Sequence, residues 1–118
     1  RFFVDNGYLK LFELKEDMGL MLENLVFMEL IKNGKSVCYH QGKKECDFIV
    51  DGAQAIQVAY ELSEKNEERE LEGLLEAMEV HGLKDGLVIT FDEEKQVKIN
   101  GITVKVVPLW KWILQTKI

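Results

Sequence analysis

Apolar residues recur along this chain with three different spacings, and each spacing marks a different kind of element. From Leu20 to Ile31 they fall three and four apart and also side by side: Leu20, Met21, Leu22, Leu25, Val26, Phe27, Met28, Leu30 and Ile31. This predicts a helix over 18–33, capped by Asp17, stopped by Asn33-Gly34, apolar on most sides and therefore largely buried. From Glu45 to Val50, and again from Ala55 to Leu62, apolar and polar positions alternate with the period of a strand. The three residues Asp51-Gly52-Ala53 turn one run into the other. Ser36 to His40 supplies a strand ahead of this pair, with Gly42-Lys43 as its turn.

Helical spacing returns with Leu71, Leu74, Leu75 and Met78, in a helix that Ser63 or Asn66 can cap and that Gly82 ends near His81. Gly86 to Phe91 is then a nearly continuous apolar run of strand length, as expected of a central strand covered on both faces. A helix between this strand and the preceding meander implies a right-handed crossover. Gln96 to Ile99 and Ile102 to Val107 flank Asn100-Gly101, a strong hairpin signal. Pro108 then turns the chain into a short terminal helix from Trp110 to Leu114, whose tryptophans are expected to pack on the sheet. Residues 1–9 read as a strand or extended arm ending at Asn6-Gly7. The class these elements predict is α/β, a mixed central sheet flanked by helices, in a single domain over 1–118.

Composition narrows the picture. With 118 residues, 47% of them hydrophobic and 31% charged, the chain can bury one real core. It shows no signal peptide and no apolar run of transmembrane length, so no membrane partner is expected. Cys38 and Cys46 lack CxxC spacing, and reduced thiols in a cytoplasmic protein are the simplest account. Adding His40 and His81 gives no pair with the short-loop spacing of a structural zinc site. The chain starts at Arg1, which suggests a piece of a longer protein. Abundant Glu and Lys suggest a heat-adapted source.

The formal charge of −6 argues against a general nucleic-acid surface. Its distribution is uneven. Lys32, Lys35, Lys43 and Lys44 occur with no acidic residue between them, and the stretch runs straight into Glu45 and Asp47. Lys35, Lys43 and Lys44 are candidate DNA contacts; as surface lysines they would equally guard an edge strand. The acidic series from Glu64 to Glu79, Glu70 included, reads as a solvated helix face that repels DNA.

Candidate chemistry lies in the hairpin. A period of two puts Glu45, Asp47, Gln57, Ala59 and Glu61 on one face, and Cys46, Phe48, Val50, Ile56, Val58, Tyr60 and Leu62 on the other. The short turn sets Asp47 opposite Gln57. Glu23 shares a helix stripe with Leu20, Val26, Phe27 and Leu30, where a carboxylate needs a partner, a cation or access to water. Glu23, Asp47 and Gln57, with Glu45 beside them, form a candidate metal-dependent site. They can also simply hydrogen-bond one another.

The helix with Glu23, the strand with Asp47 and the strand Gln57-Val58-Ala59 stand where the PD-(D/E)XK nuclease superfamily carries a Glu, an Asp and a Glu-x-Lys. The element order α-β-β-β-α-β-β-α resembles that restriction-endonuclease-like core. More closely, Gly19 to Phe27, Glu45 to Phe48, Ile56 to Tyr60 and Pro108 to Trp112 resemble the C-terminal nuclease-like domain of archaeal-type AAA+ ATPases. The resemblance covers nearly the whole chain, with residues 1–12 as the link from upstream. It implies an ATPase domain in the missing part of the chain, where ATP would bind, and agrees with the lack of a complete phosphate-binding loop here. It also implies Mg²⁺ or Mn²⁺ on Glu23, Asp47 and Gln57, DNA as a partner, and a homo-oligomeric parent. Gln57 replaces an anionic ligand and Ala59 removes the Lys, so the expected function is a degenerate site that binds DNA or a partner. The alternatives are a rearranged Mg²⁺- or Mn²⁺-dependent endonuclease and a structural or oligomerisation module.

Overall fold

Six strands form one mixed sheet in the order β1-β2-β3-β4-β6-β5, described for residues 7–116 in a computed structural model. The elements are α1 (Gly7–Lys32), β1 (Val37–Gln41), β2 (Glu45–Val50), β3 (Gln54–Val58), α2 (Glu67–His81), β4 (Asp85–Thr90), β5 (Lys95–Ile99), β6 (Ile102–Pro108) and α3 (Leu109–Thr116). β1, β2 and β3 form an antiparallel meander. After α2 the chain returns in parallel, β4 beside β3 and β6 beside β4, and β5 closes the far edge antiparallel to β6.

The turns obey their local chemistry. Asp51 and Gly52 take left-handed backbone angles (φ 55° and 64°). Asp51 is held there because Ser36 N–H donates to its Oδ1 at 2.8 Å and its own N–H donates to Ser36 O at 2.7 Å. Asn100 and Gly101 (φ 52° and 78°) make the two-residue hairpin turn that their sequence announces. At the end of α1, Gly34 N–H bonds Ile31 O and Lys35 N–H bonds Leu30 O, the paired closure that a left-handed glycine permits.

Both faces of the sheet are covered. α2 lays Leu71, Leu74, Ala77 and Met78 on Ile49, Ala55, Ala59, Val88, Val104 and Val106. The opposite face buries Phe48, Val50, Ile56, Val58, Ile89 and Val107 under Leu22, Val26 and Leu30 of α1 and Trp112 of α3. Val88 and Ile89, adjacent in β4, belong to different layers and are both fully buried. That is the central strand the apolar run predicts.

Four expectations are corrected. Helix α1 begins by Gly7, so Asp17 lies within it and residues 7–12 are helical; the rest of the expected link, residues 1–6, lies outside the described residues. Three strands follow α2, because both arms of the Asn100-Gly101 hairpin join the sheet. β3 ends at Val58 because the chain turns toward β4, where Ala59 N–H donates to Ile89 O and Phe91 N–H to Tyr60 O. Helix α1 is not buried all round: Leu22, Val26 and Leu30 are covered, while Leu20, Met21, Leu25, Phe27, Met28 and Ile31 are exposed. A helix lying on a sheet buries one stripe, and among the described residues nothing covers its outer side.

This difference is measurable by urea denaturation. Leu22→Ala, at a site 3% exposed, is expected to destabilise the fold by about 2–5 kcal/mol. Leu20→Ala, at a site 60% exposed, is expected to change stability by less than about 0.5 kcal/mol.

Candidate functional site

The β2–β3 ladder changes character where the candidate residues begin. Pairing runs Val50↔Gln54, Ile49↔Ala55, Phe48↔Ile56, and its continuation sets Asp47 across from Gln57. There side chains take over from backbone. Asp47 N–H donates to Gln57 Oε1 at 2.9 Å, and Val58 N–H donates to Asp47 Oδ2 at 2.8 Å. Gln57 Nε2 donates to Glu45 O at 3.1 Å and to Glu70 O at 3.0 Å. The amide, 4% exposed, thus joins β2, β3 and α2. Gly73 makes this approach possible, since a Cβ there would come within 2.1 Å of Glu45 O and 3.0 Å of Gln57 Nε2.

A cavity of about 620 Å³ opens beside this knot, lined by Glu23, Gln41, Gly42, Lys43, Lys44, Glu45, Asp47, Gln57, Val58, Arg69 and Glu70. Helix α1 brings Glu23, β2 brings Glu45 and Asp47, and the β1–β2 turn brings Lys43 and Lys44. The first turn of α2 adds Arg69, which the sequence analysis did not single out, and Glu70, which it assigned to a solvated face. A signal for Glu70 was present: it precedes Gly73, Leu74 and Ala77 by three, four and seven residues, and all three are buried.

Other candidates lie elsewhere. Lys35 pairs with Asp51 at 3.6 Å at the opposite end of the hairpin, because it follows the cap of α1. Glu61 does not line the cavity, since β3 has already ended. Ala59, at the position where the resembled family has its Lys, packs into the α2-side core. Cys46, expected beside Phe48, packs in that same core, its thiol donating to Phe48 O and Ile56 O and its pKa pushed up to about 12, chiefly by burial.

Burial raises the pKa of three carboxyl groups that line the cavity. Burial raises the pKa of Asp47 to about 7, against the opposing hydrogen bond from Val58, and Glu23, Glu70 and Glu45 add repulsion. Glu23 is raised by burial and by Glu70. Glu70 is raised by burial, partly relieved by Arg69 at 3.2 Å. Of the three donors expected for Mg²⁺, the Gln57 amide is bonded on both its atoms to backbone. Among the described residues no three His, Cys, Asp or Glu side chains converge to hold an ion.

A family model described as "Domain of unknown function (DUF4143)" matches residues 18–112. The chain belongs to this DUF4143 family. It is similar to an uncharacterized protein of Methanocaldococcus jannaschii, 36% identical over 112 residues, which cover 84% of this chain and 25% of that protein. It is also similar to an uncharacterized protein of Haemophilus influenzae, 34% identical over 123 residues, covering 97% of this chain and 28% of that protein. The chain therefore spans about a quarter of the length of these curated relatives. In this DUF4143 chain no described helix is long and apolar enough to cross a membrane.

The shift at Asp47 has a stability consequence. Its folded-state pKa lies above the ordinary 3.8, so the favourable contribution is complete below about pH 4 and is lost as pH rises through about 7. Asp47→Asn keeps an oxygen to accept from Val58 N–H and removes the charge. It is expected to stabilise the fold at pH 8 by on the order of 1–2 kcal/mol and to leave it unchanged below pH 4. Thermal denaturation across that range checks it.

Proposed function

We propose that this DUF4143 domain is a nuclease-like accessory module of an AAA+ ATPase, with a restriction-endonuclease-like scaffold whose cleavage site has become a binding site. The observation that carries this reading is the fate of the Gln57-Val58-Ala59 segment. In a working PD-(D/E)XK site this strand supplies an anionic metal ligand and a Lys. Here Gln57 bonds three backbone groups and Ala59 fills the hydrophobic core. Both positions serve folding. Losing an anionic ligand and an electrostatic catalyst together would cost about three or more orders of magnitude in rate, by analogy with single preorganised groups.

DNA suits the cavity's rim better than its floor. Lys43, Lys44 and Arg69 offer three cations around the opening, while Glu23, Asp47 and Glu70 below repel phosphate. Contact would be made by the rim alone, and its affinity would fall with added salt. The remainder of the parent chain would provide ATP binding.

A second reading, a Mg²⁺- or Mn²⁺-dependent endonuclease, is favoured by Glu70 and Arg69. Carried on α2 beside Asp47, they bring to the cavity the charge types, one carboxylate and one cation, that the strand has lost.

Incubating the chain with supercoiled and branched DNA plus Mn²⁺ separates the two. Binding without cleavage, weakened severalfold by Lys43→Glu with Lys44→Glu, is expected. Cleavage abolished by Asp47→Ala would instead establish the enzyme.

A further inference from the structure

A second cluster of polar side chains stands outside the carboxylate floor of the cavity, where β1 meets the last turn of α2. His40 Nδ1 lies 3.1 Å from His81 Nε2, with the two rings edge to face at 85°. The other nitrogen of His40, Nε2, lies 2.7 Å from Glu76 Oε2. Glu76 also accepts from Lys44 N–H at 3.2 Å through both carboxylate oxygens. These contacts depress the Glu76 pKa, the His40 hydrogen bond first among the causes. His40 is buried while His81 is exposed.

We propose that His40 and His81 form a two-histidine site for a borderline divalent transition ion, Zn²⁺, Ni²⁺ or Cu²⁺. Three features carry it. At metal–nitrogen distances of about 2.0–2.1 Å, nitrogens 3.1 Å apart subtend about 98° at the ion, near the angle between neighbouring ligands. The carboxylate of Glu76 fixes the His40 proton on Nε2, the outer-shell arrangement that metal-binding histidines use, and leaves Nδ1 a lone pair that a turn of the rings redirects from His81 to the ion. His81, being exposed, leaves an entry path and room for water in the remaining positions. Imidazole nitrogen selects these ions over Mg²⁺. On binding, both nitrogens donate a lone pair to the ion, and the proton lying between the rings passes to Nδ1 of His81, so no proton is lost from the neutral pair.

The ion would bolt β1 to the C-terminal turn of α2. Because Glu76 also holds Lys44, the bolt would stiffen the Gln41–Lys44 segment that lines the cavity.

Isothermal titration and thermal denaturation of the chain without an affinity tag test this, with Zn²⁺, Ni²⁺ and Mg²⁺ as probes. One saturable site for Zn²⁺ and Ni²⁺, weakened at least tenfold by His81→Ala and about tenfold by Glu76→Gln, is expected, together with a raised Tm. His81 is exposed, so its variant is expected to fold. No saturable heat from Zn²⁺ or Ni²⁺, unchanged binding in His81→Ala, or an equal response to Mg²⁺ would each overturn the proposal.

Discussion

The buried amide of Gln57 holds together a junction that backbone alone leaves open. Where β2 and β3 stop exchanging ladder bonds, one side chain accepts from the Asp47 N–H and donates to the Glu45 carbonyl, and it also donates to the Glu70 carbonyl in the first turn of α2. A buried polar group left without a partner costs about 1–3 kcal/mol. The junction of the two strands therefore depends on this single residue, and Asp47 repeats the device for Val58 N–H. The reciprocal pair lets the strands separate without orphaning backbone, and the cavity opens beside that gap. α2 approaches this close because position 73 is glycine.

Much of this was legible in the sequence, and the parts that were share a cause. Turn chemistry is local, so Asp51-Gly52-Ala53 set the register that puts Asp47 across from Gln57, and Asn100-Gly101 marked the second hairpin. Alternation is local too, and it drew β2 with its observed bounds. What failed depended on distant neighbours. The number of apolar sides on α1 said nothing of how many would be covered, because a sheet contacts only one stripe of a helix. The run of glutamates on α2 hid Glu70, whose surroundings are fixed by the strands it meets. Cys46 escaped its predicted face where the regular pleat breaks at Asp47. Gln57 was located across from Asp47, but its bonds to Asp47 N–H, Glu45 O and Glu70 O were not legible, because spacing shows where a side chain stands and not what it bonds.

The cleft carries an electrostatic burden that the Asp47–Val58 bond offsets in part. Glu23, Asp47 and Glu70 are poorly hydrated and repel one another, and Arg69, mostly exposed, relieves only Glu70. A core selected for stability alone would place uncharged groups here. Clusters of shifted carboxyls concentrate at functional sites because function requires what folding penalises. Under the function proposed above, the arrangement is a site that recruits a positive charge, whether proton, side chain of a partner or ion.

The cavity rim and the histidine corner are mechanically one unit. Gly42 sits where a Cβ would come within 2.4 Å of Glu76 Oε2 and 2.9 Å of His40 Nε2, so the turn between β1 and β2 folds directly onto the Glu76–His40 pair. Lys44, anchored by its N–H to Glu76, sends its side chain 3.1 Å from Glu72 on the same helix. Lys44 at the cavity border therefore takes its position from the middle of α2, while Glu70 and Arg69 take theirs from its beginning. One helix, seated on the sheet by Leu71, Leu74 and Ala77, sets both the Glu70 corner of the acidic floor and the basic rim. A displacement of α2 along its axis would move these two together, so their mutual distance is conserved by the rigidity of a single element rather than by contacts across the opening.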